Sequence, residues 1–485
     1  MEEISPLFYV NVGPQGTFKG SGDYRTGSGD IDAIFQHIRD KNVPKLALHF
    51  HGGLVPEAAG MGIARKMIPV YQAAGSHPVT FVWETGFLET LKSNLATIHH
   101  TALFRKVLFW TLKKAGKELG VDATGKGMGA ELDDKTINEQ LLLPAPFASL
   151  AVTGTGGKGG AGPLTEASLP DKEDMIAAEL ESEMAADHEF QALLQSPSPD
   201  AWTKMAARRL EPATATAEPG KGLVGLTQAF VAVAKIATRV LKRTIQRHDH
   251  GFYPTVVEEI LRELYLDDFG AWVWDGMKNQ AEAMWRSNQG VSGDARHAGR
   301  YFLDGLRALQ QETGLIVDLV GHSAGSIAIC HMLKAAAASG GLKVRNVLLL
   351  APAARVDLFH SELVSRKDEF NLLRIFTMQD ALECDDRLVD GIYTRSLLYF
   401  ISGVLERGDD VPLCGLAHNL IDNDLYRDDP LPAIRAAFGP PSDNWLVLSR
   451  TAGGAAPDRR SGATSHGGFD DDDPTKASLT HILAQ

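Results

Sequence analysis

The sequence predicts an α/β protein: a mostly parallel sheet with helices on both faces, interrupted by one large, mainly helical insertion. Three observations carry this reading. Apolar strand-like runs alternate with helical stretches over residues 1–86 and again over 301–485, the alternation that builds a parallel sheet covered on both sides. Residues 87–300 break that rhythm with long helical patterns and with Gly-rich or Pro/Ala/Thr-rich spacers, from Thr153 to Gly162 and from Glu211 to Gly222. Finally, one hydrophobic run feeds directly into Gly321-His322-Ser323-Ala324-Gly325, a G-x-S-x-G turn between a strand and a helix.

Taken in order, Leu7 to Val12 reads as a strand, Asp30 to Arg39 as a helix and Lys45 to Phe50 as a buried strand. Pro78 to Trp83 is a further short strand, rich in β-branched and aromatic residues. After the insertion come a helix, the strand Leu315 to Val320, and a helix from Ser326 to Ala338 closed by Gly340-Gly341. Strands over 344–350, 372–377 and 445–449 complete the sheet, with helical stretches between them. The expected organisation is therefore 1–86 and 301–485 as the two parts of the sheet domain, with 87–300 inserted between them.

At 485 residues, with 44% hydrophobic and 22% charged side chains, the chain has the make-up of a globular protein larger than one typical core. The formal charge of −13 argues against nucleic acid as a partner. Cys330, Cys384 and Cys414 are too few and too scattered for a disulfide framework or a zinc cage. Met1-Glu-Glu-Ile lacks the basic and apolar regions of a leader, and no apolar run reaches the length of a spanning helix. A cytoplasmic location is the expectation.

A serine hydroxyl is a poor nucleophile at neutral pH and needs a base, itself oriented by an acid. The bare G-x-S-x-G pattern is weak, since roughly 0.3 matches arise by chance in a chain this rich in glycine. The strand before it and the small residues around it make Ser323 a candidate nucleophile. With such an elbow the acid and then the base follow in the chain. Asp380 lies just past the strand 372–377 and is the first choice for the acid; Asp357 is the rival, and Asp385 and Asp386 read as helix-start residues. His466, in the Gly-flanked loop after the last strand, is the candidate base ahead of His360, His418 and His481. An oxyanion site needs two main-chain N–H donors. Ala324 supplies one, and the turn His51-Gly52-Gly53-Leu54 the other, with Gly53 preferred to Leu54.

In this order, H-G-G, G-x-S-x-G, Asp and His, the motifs resemble those of the α/β-hydrolase superfamily over about 270 residues, the two flanks of the insertion. The resemblance implies a Ser323–His466–Asp380 triad and an acyl-enzyme route with no cofactor. It points to a cytoplasmic serine hydrolase acting on a lipid or other acyl ester, with thioesterase, amidase or phospholipase-like activity as neighbouring readings. A non-catalytic interaction scaffold on the same fold is the reading from another class. The insertion precedes the nucleophile, whereas the family's caps more often follow it, so substrate preferences do not carry over.

Other signals divide between two readings. Phe87 to Leu119 and Leu223 to Arg247 interleave apolar residues with Lys106, Lys113, Lys114, Lys235, Arg239 and Arg243. Such helices either pack inside the insertion or rest peripherally on an anionic membrane. His248-Asp249-His250 before Gly251 reads as the end of a helix and not as a metal site. Gly-Gly-Lys158 lacks the spacing of a phosphate loop. Asp470 to Asp473 read as an exposed acidic loop ended by Pro474, and Glu84 as a residue that opens a helix.

Overall fold

The computed structural model describes residues 4–20, 22–53, 55–83, 88–122, 132–149, 151–152, 164–194, 196, 199–209, 222–265, 271–422, 426–438 and 445–485. Glu84, Leu54 and the Thr153 to Gly162 spacer lie outside the described residues. The chain forms two compact units. One comprises residues 1–90, 273–386 and 412–485; the other comprises 91–272 and 387–411.

The first unit is built on a sheet of seven strands: β1 (Tyr9–Val12), β2 (Lys45–Phe50), β3 (His77–Trp83), then β6 (Ile316–His322), β7 (Asn346–Leu350), β8 (Leu372–Met378) and β9 (Leu446–Ser449). The intervening β4 (Val121–Asp122) and β5 (Ala151–Val152) form a short antiparallel pair in the other unit. The sheet order is β1-β3-β2-β6-β7-β8-β9, and every pairing is parallel. Parallel strands need crossover connections, which here are helical, and strands covered on both faces must be apolar almost throughout. Accordingly β1, β3 and β7 are buried at every position. All the carboxyl ends fall on one edge, with β6 at the centre of the order.

The sequence places residues 273–300 in the insertion, but the structure gives them to the sheet unit. Met284 accepts the amide of Arg300 at 2.7 Å, and the helix Ala298–Thr313 packs on Ser28–Asp40 beside the sheet. Conversely, residues 387–411 leave the sheet unit after β8 and join the helical one, an excursion that hydrophobic periodicity does not reveal.

In the helical unit, Gly222–Gln246 is the central helix, packed against Ala102–Leu119, Leu169–Ala186 and Phe252–Leu264. Its basic residues meet carboxylates of the same unit. Lys106 pairs with Asp187 and Glu189, Lys113 with Asp134, and the buried Lys114 with Glu179 and Glu183. Lys235 and Arg239 share Glu263. At its heart, Arg243 meets Glu258 at 2.7 Å and Glu259 at 3.0 Å, all three buried. His250 places its two nitrogens on Glu258 (2.8 Å) and Asp410 (3.1 Å). Two carboxylates hold the imidazole charged against the effect of burial, with its pKa raised to about 9. Among the described residues, no helix is long and apolar enough to cross a membrane.

Candidate active site

Ser323 sits on the sharp turn between β6 and the helix Gly325–Ala337. Its φ is +49°, a left-handed conformation that a non-glycine residue adopts at a cost and that needs support from its surroundings. That support is visible. The Ser323 amide donates to Leu350 at 2.8 Å and its carbonyl accepts from Ala353 at 3.0 Å, so the turn is tied to the end of β7 on both sides. Ser326 reinforces it, its hydroxyl donating to the Ser323 carbonyl at 2.6 Å and accepting from the Ala354 amide at 3.1 Å.

The two glycines of the motif have a packing reason. A Cβ on Gly325 would collide with the Phe50 carbonyl at the end of β2, and one on Gly321 would lie 2.7 Å from Ile329 and 3.0 Å from the Gly325 carbonyl carbon. Strand and helix approach too closely for any side chain at either position. The same closeness brings the turn after β2 over the serine. A Cβ on Gly52 would be 3.4 Å from Ser323 Cβ, and one on Gly53 would be 2.8 Å from Ala324 Cβ. Gly53 and Ala324, the two expected oxyanion donors, are therefore neighbours. Ala324 caps the helix start, where main-chain amides have no intrahelical acceptor. His51 fixes the turn: its Nε2 accepts from the Trp83 amide at 3.1 Å, so its Nδ1 donates to the Gly52 carbonyl at 2.5 Å.

His466 reaches Ser323. Its Nε2 lies 2.9 Å from Ser323 Oγ, and both residues are buried. The chain returns from β9 through a loop closed on itself. Ser449 Oγ donates to Ala463 at 2.7 Å, Thr451 N to Ser461 at 2.9 Å, and Gly462 N to Asp472 at 2.8 Å. Both polar groups of the His466 main chain are then clamped. Its N–H donates to Asp386 Oδ2 at 2.7 Å, and its carbonyl accepts from His322 Nε2 at 2.9 Å. The other nitrogen of His322 meets Asp470 Oδ2 at 2.6 Å. Burial and the neighbouring His322 charge push the His466 imidazole down to about 3, so it is neutral. Asp470 is held down at about 2 by His322, whose own pKa is raised by Asp470.

Asp380 is not brought to His466. It opens the helix Asp380–Asp385 with its carboxylate half exposed and turned to His418 Nδ1 at 3.0 Å. Among the described residues, His466 Nδ1 has no hydrogen-bond partner. The position after β8 is the expected one for an acid, but the first residue of that helix gives its carboxylate to His418. Asp357 pairs with Arg355 at 2.8 Å. The acidic run 470–473 is likewise not an exposed loop as a whole. Asp470 is buried, Asp472 caps the helix Asp473–Ala484 through the Thr475 amide, and Asp471 meets Lys66.

Sequence reasoning read Asp386 as a helix-start residue and Asp470 as part of an exposed loop, and it passed over His322. Asp386 closes the short helix after β8 where Asp380 opens it. Asp470 follows His466 by four residues but bonds His322 across the fold, a contact that local spacing does not signal. Among the described residues, no group of His, Cys, Asp and Glu is arranged to hold a metal ion. Compared with protein-family models, curated proteins and solved structures, the chain matches none.

Proposed function

We propose that the protein is a serine hydrolase of the α/β-hydrolase type that cleaves carboxylic esters through an acyl-enzyme. The observation that carries this reading is the 2.9 Å contact between Ser323 Oγ and His466 Nε2, made from a left-handed elbow at the carboxyl edge of a parallel sheet. Ligand sites of open parallel α/β sheets gather at that edge.

In this mechanism Ser323 Oγ attacks the acyl carbonyl carbon while His466 Nε2 takes the hydroxyl proton. The carbonyl oxygen becomes an oxyanion held by the amides of Ala324 and Gly53. The intermediate collapses, the ester C–O bond breaks, and His466 returns the proton to the departing alkoxide. Water then repeats the sequence on the acyl-enzyme and releases the carboxylic acid and Ser323. Each protonation of His466 creates a buried cation, which needs a carboxylate. Asp470, whose charge acts on the imidazole in the favourable sense, and Asp386, bonded to the His466 main-chain N–H, supply negative charge here in place of Asp380.

Hydrolysis of a p-nitrophenyl ester series of increasing acyl length tests the reading and reports the acyl preference. Ser323→Ala is expected to lower kcat by roughly 10⁴–10⁶ at unchanged stability. Turnover by folded Ser323→Ala above a few percent of the original takes the serine out of the mechanism.

A further inference from the structure

The elbow residue before the nucleophile is a histidine with both ring nitrogens engaged, and its partners fix its protonation. A main-chain carbonyl only accepts, so His322 Nε2 carries hydrogen toward His466 O at 2.9 Å. Asp470 is a buried carboxylate 2.6 Å from Nδ1, so Nδ1 also carries hydrogen. His322 is therefore an imidazolium paired with Asp470, next to a base that is itself neutral. We propose that the His322–Asp470 ion pair is a pH-dependent positioning device, which holds the His466 carbonyl and so keeps the base on Ser323 while His322 is charged, and slackens when His322 loses its proton. The inference rests on the serine-hydrolase reading of Ser323 and His466.

The reason is a count of donors. A neutral imidazole has one N–H, and here two acceptors face it. When His322 deprotonates, either the Asp470 contact or the His466 contact is lost. Losing the second frees one of the two clamps on the His466 main chain, leaving only the Asp386 bond to its N–H. Misplacing a reacting group by a fraction of an ångström is enough to slow a reaction that depends on alignment.

The other titratable groups around the pair set the range in which it acts. His49 on β2 and His51 in the turn after it are both pushed down to about 4 by burial and stay neutral. Tyr71, which meets His49 Nδ1 at 2.6 Å from the helix Glu57–Ala73, is kept protonated by the same burial. His466 is neutral, and Asp471 adds a further negative charge that favours the charged His322. Of the histidines in this cluster, His322 alone is shifted upward, by the Asp470 charge acting against burial, so it is the one that keeps its proton to higher pH than the others.

Two measurements test the proposal. In ¹⁵N-histidine NMR of the wild-type protein at neutral pH, His322 is expected to show both ring nitrogens protonated and His466 only one. In ester hydrolysis, kcat is expected to fall on the alkaline side in step with the His322 titration, with KM changing less. Asp470→Asn keeps an acceptor but removes the charge, and should move that alkaline limb down by roughly one to three pH units. His322→Gln keeps a donor for the His466 carbonyl but cannot titrate, so its kcat, although lower, should be flat across the alkaline range. A neutral His322 in the wild-type spectrum, or an alkaline limb that stays in place in both variants, overturns the proposal. Absence of ester turnover in the wild-type protein would instead remove the hydrolase reading, and the NMR result would still decide whether the ion pair exists.

Discussion

His250 and His466 are both buried, one in the helical unit and one in the sheet unit, and they are driven in opposite directions. His250 has a carboxylate on each ring nitrogen and is raised to about 9; His466 has a serine hydroxyl on one nitrogen and, among the described residues, no partner on the other, and is lowered to about 3. Burial acts downward on both. Their partners make the difference. A doubly paired imidazolium serves as a fixed cation that ties helices and the 387–411 segment together. An imidazole with a free lone pair on a hydroxyl is able to take a proton. The contrast also explains why the helical unit, though rich in ionisable groups at its centre, is not where the chemistry is proposed. Its charges are already neutralised by each other.

The largest effect should come from exchanging these two residues for glutamine. His466→Gln is expected to lower ester turnover by roughly 10⁴–10⁶ with a small change in stability. His250→Gln removes one member of a buried ionic cluster and should destabilise the helical unit by about 3–5 kcal/mol in urea unfolding. Comparable loss of turnover per folded molecule in both variants would erase the distinction.

A second pair sharpens the account of the acid. Asp386→Asn, which removes the charge on the His466 main-chain clamp, is expected to lower kcat more than Asp380→Asn, which should change it little, Asp380 being turned to His418. The reverse ranking would restore the acid to the first residue of the helix Asp380–Asp385.

The smallest effect is in stability against pH, where the two histidines slope oppositely. The folded pKa of His250 lies above its unfolded value near 6.5, so its contribution is complete below that value and is lost as pH rises from there toward about 9. The folded pKa of His466 lies below the same reference. Its contribution is present above about 6.5 and is lost as pH falls toward about 3. Urea midpoints measured across pH should therefore decline less on the alkaline side in His250→Gln and less on the acid side in His466→Gln than in the wild-type protein.

Much of the sheet unit was legible because its signals are local. Strand runs such as Lys45–Phe50 are buried at almost every position, and the glycines at 321 and 325 report a close approach that no other residue permits. The serine and the histidine were legible for the same reason, as a turn after a strand and a Gly-flanked loop after the last strand. What escaped depends on side-chain direction. Asp380 and Asp386 stand at opposite ends of one short helix, and nothing in their spacing says which faces the base. His322 and Asp470 are joined across 148 residues, a contact that neither periodicity nor local composition encodes. The basic helices of the insertion illustrate the same limit. Lys106, Lys113 and Lys114 look available for an anionic surface in sequence, and only tertiary structure gives each its carboxylate.

The central claim is that Ser323 is an activated nucleophile, and the most direct test is its reaction with a fluorophosphonate probe followed by peptide mass mapping. The account predicts one phosphonyl adduct per chain, on the peptide carrying Ser323, absent from Ser323→Ala and formed far more slowly in His466→Gln. Failure of the folded wild-type protein to label, or an adduct on another residue that survives Ser323→Ala, would contradict it.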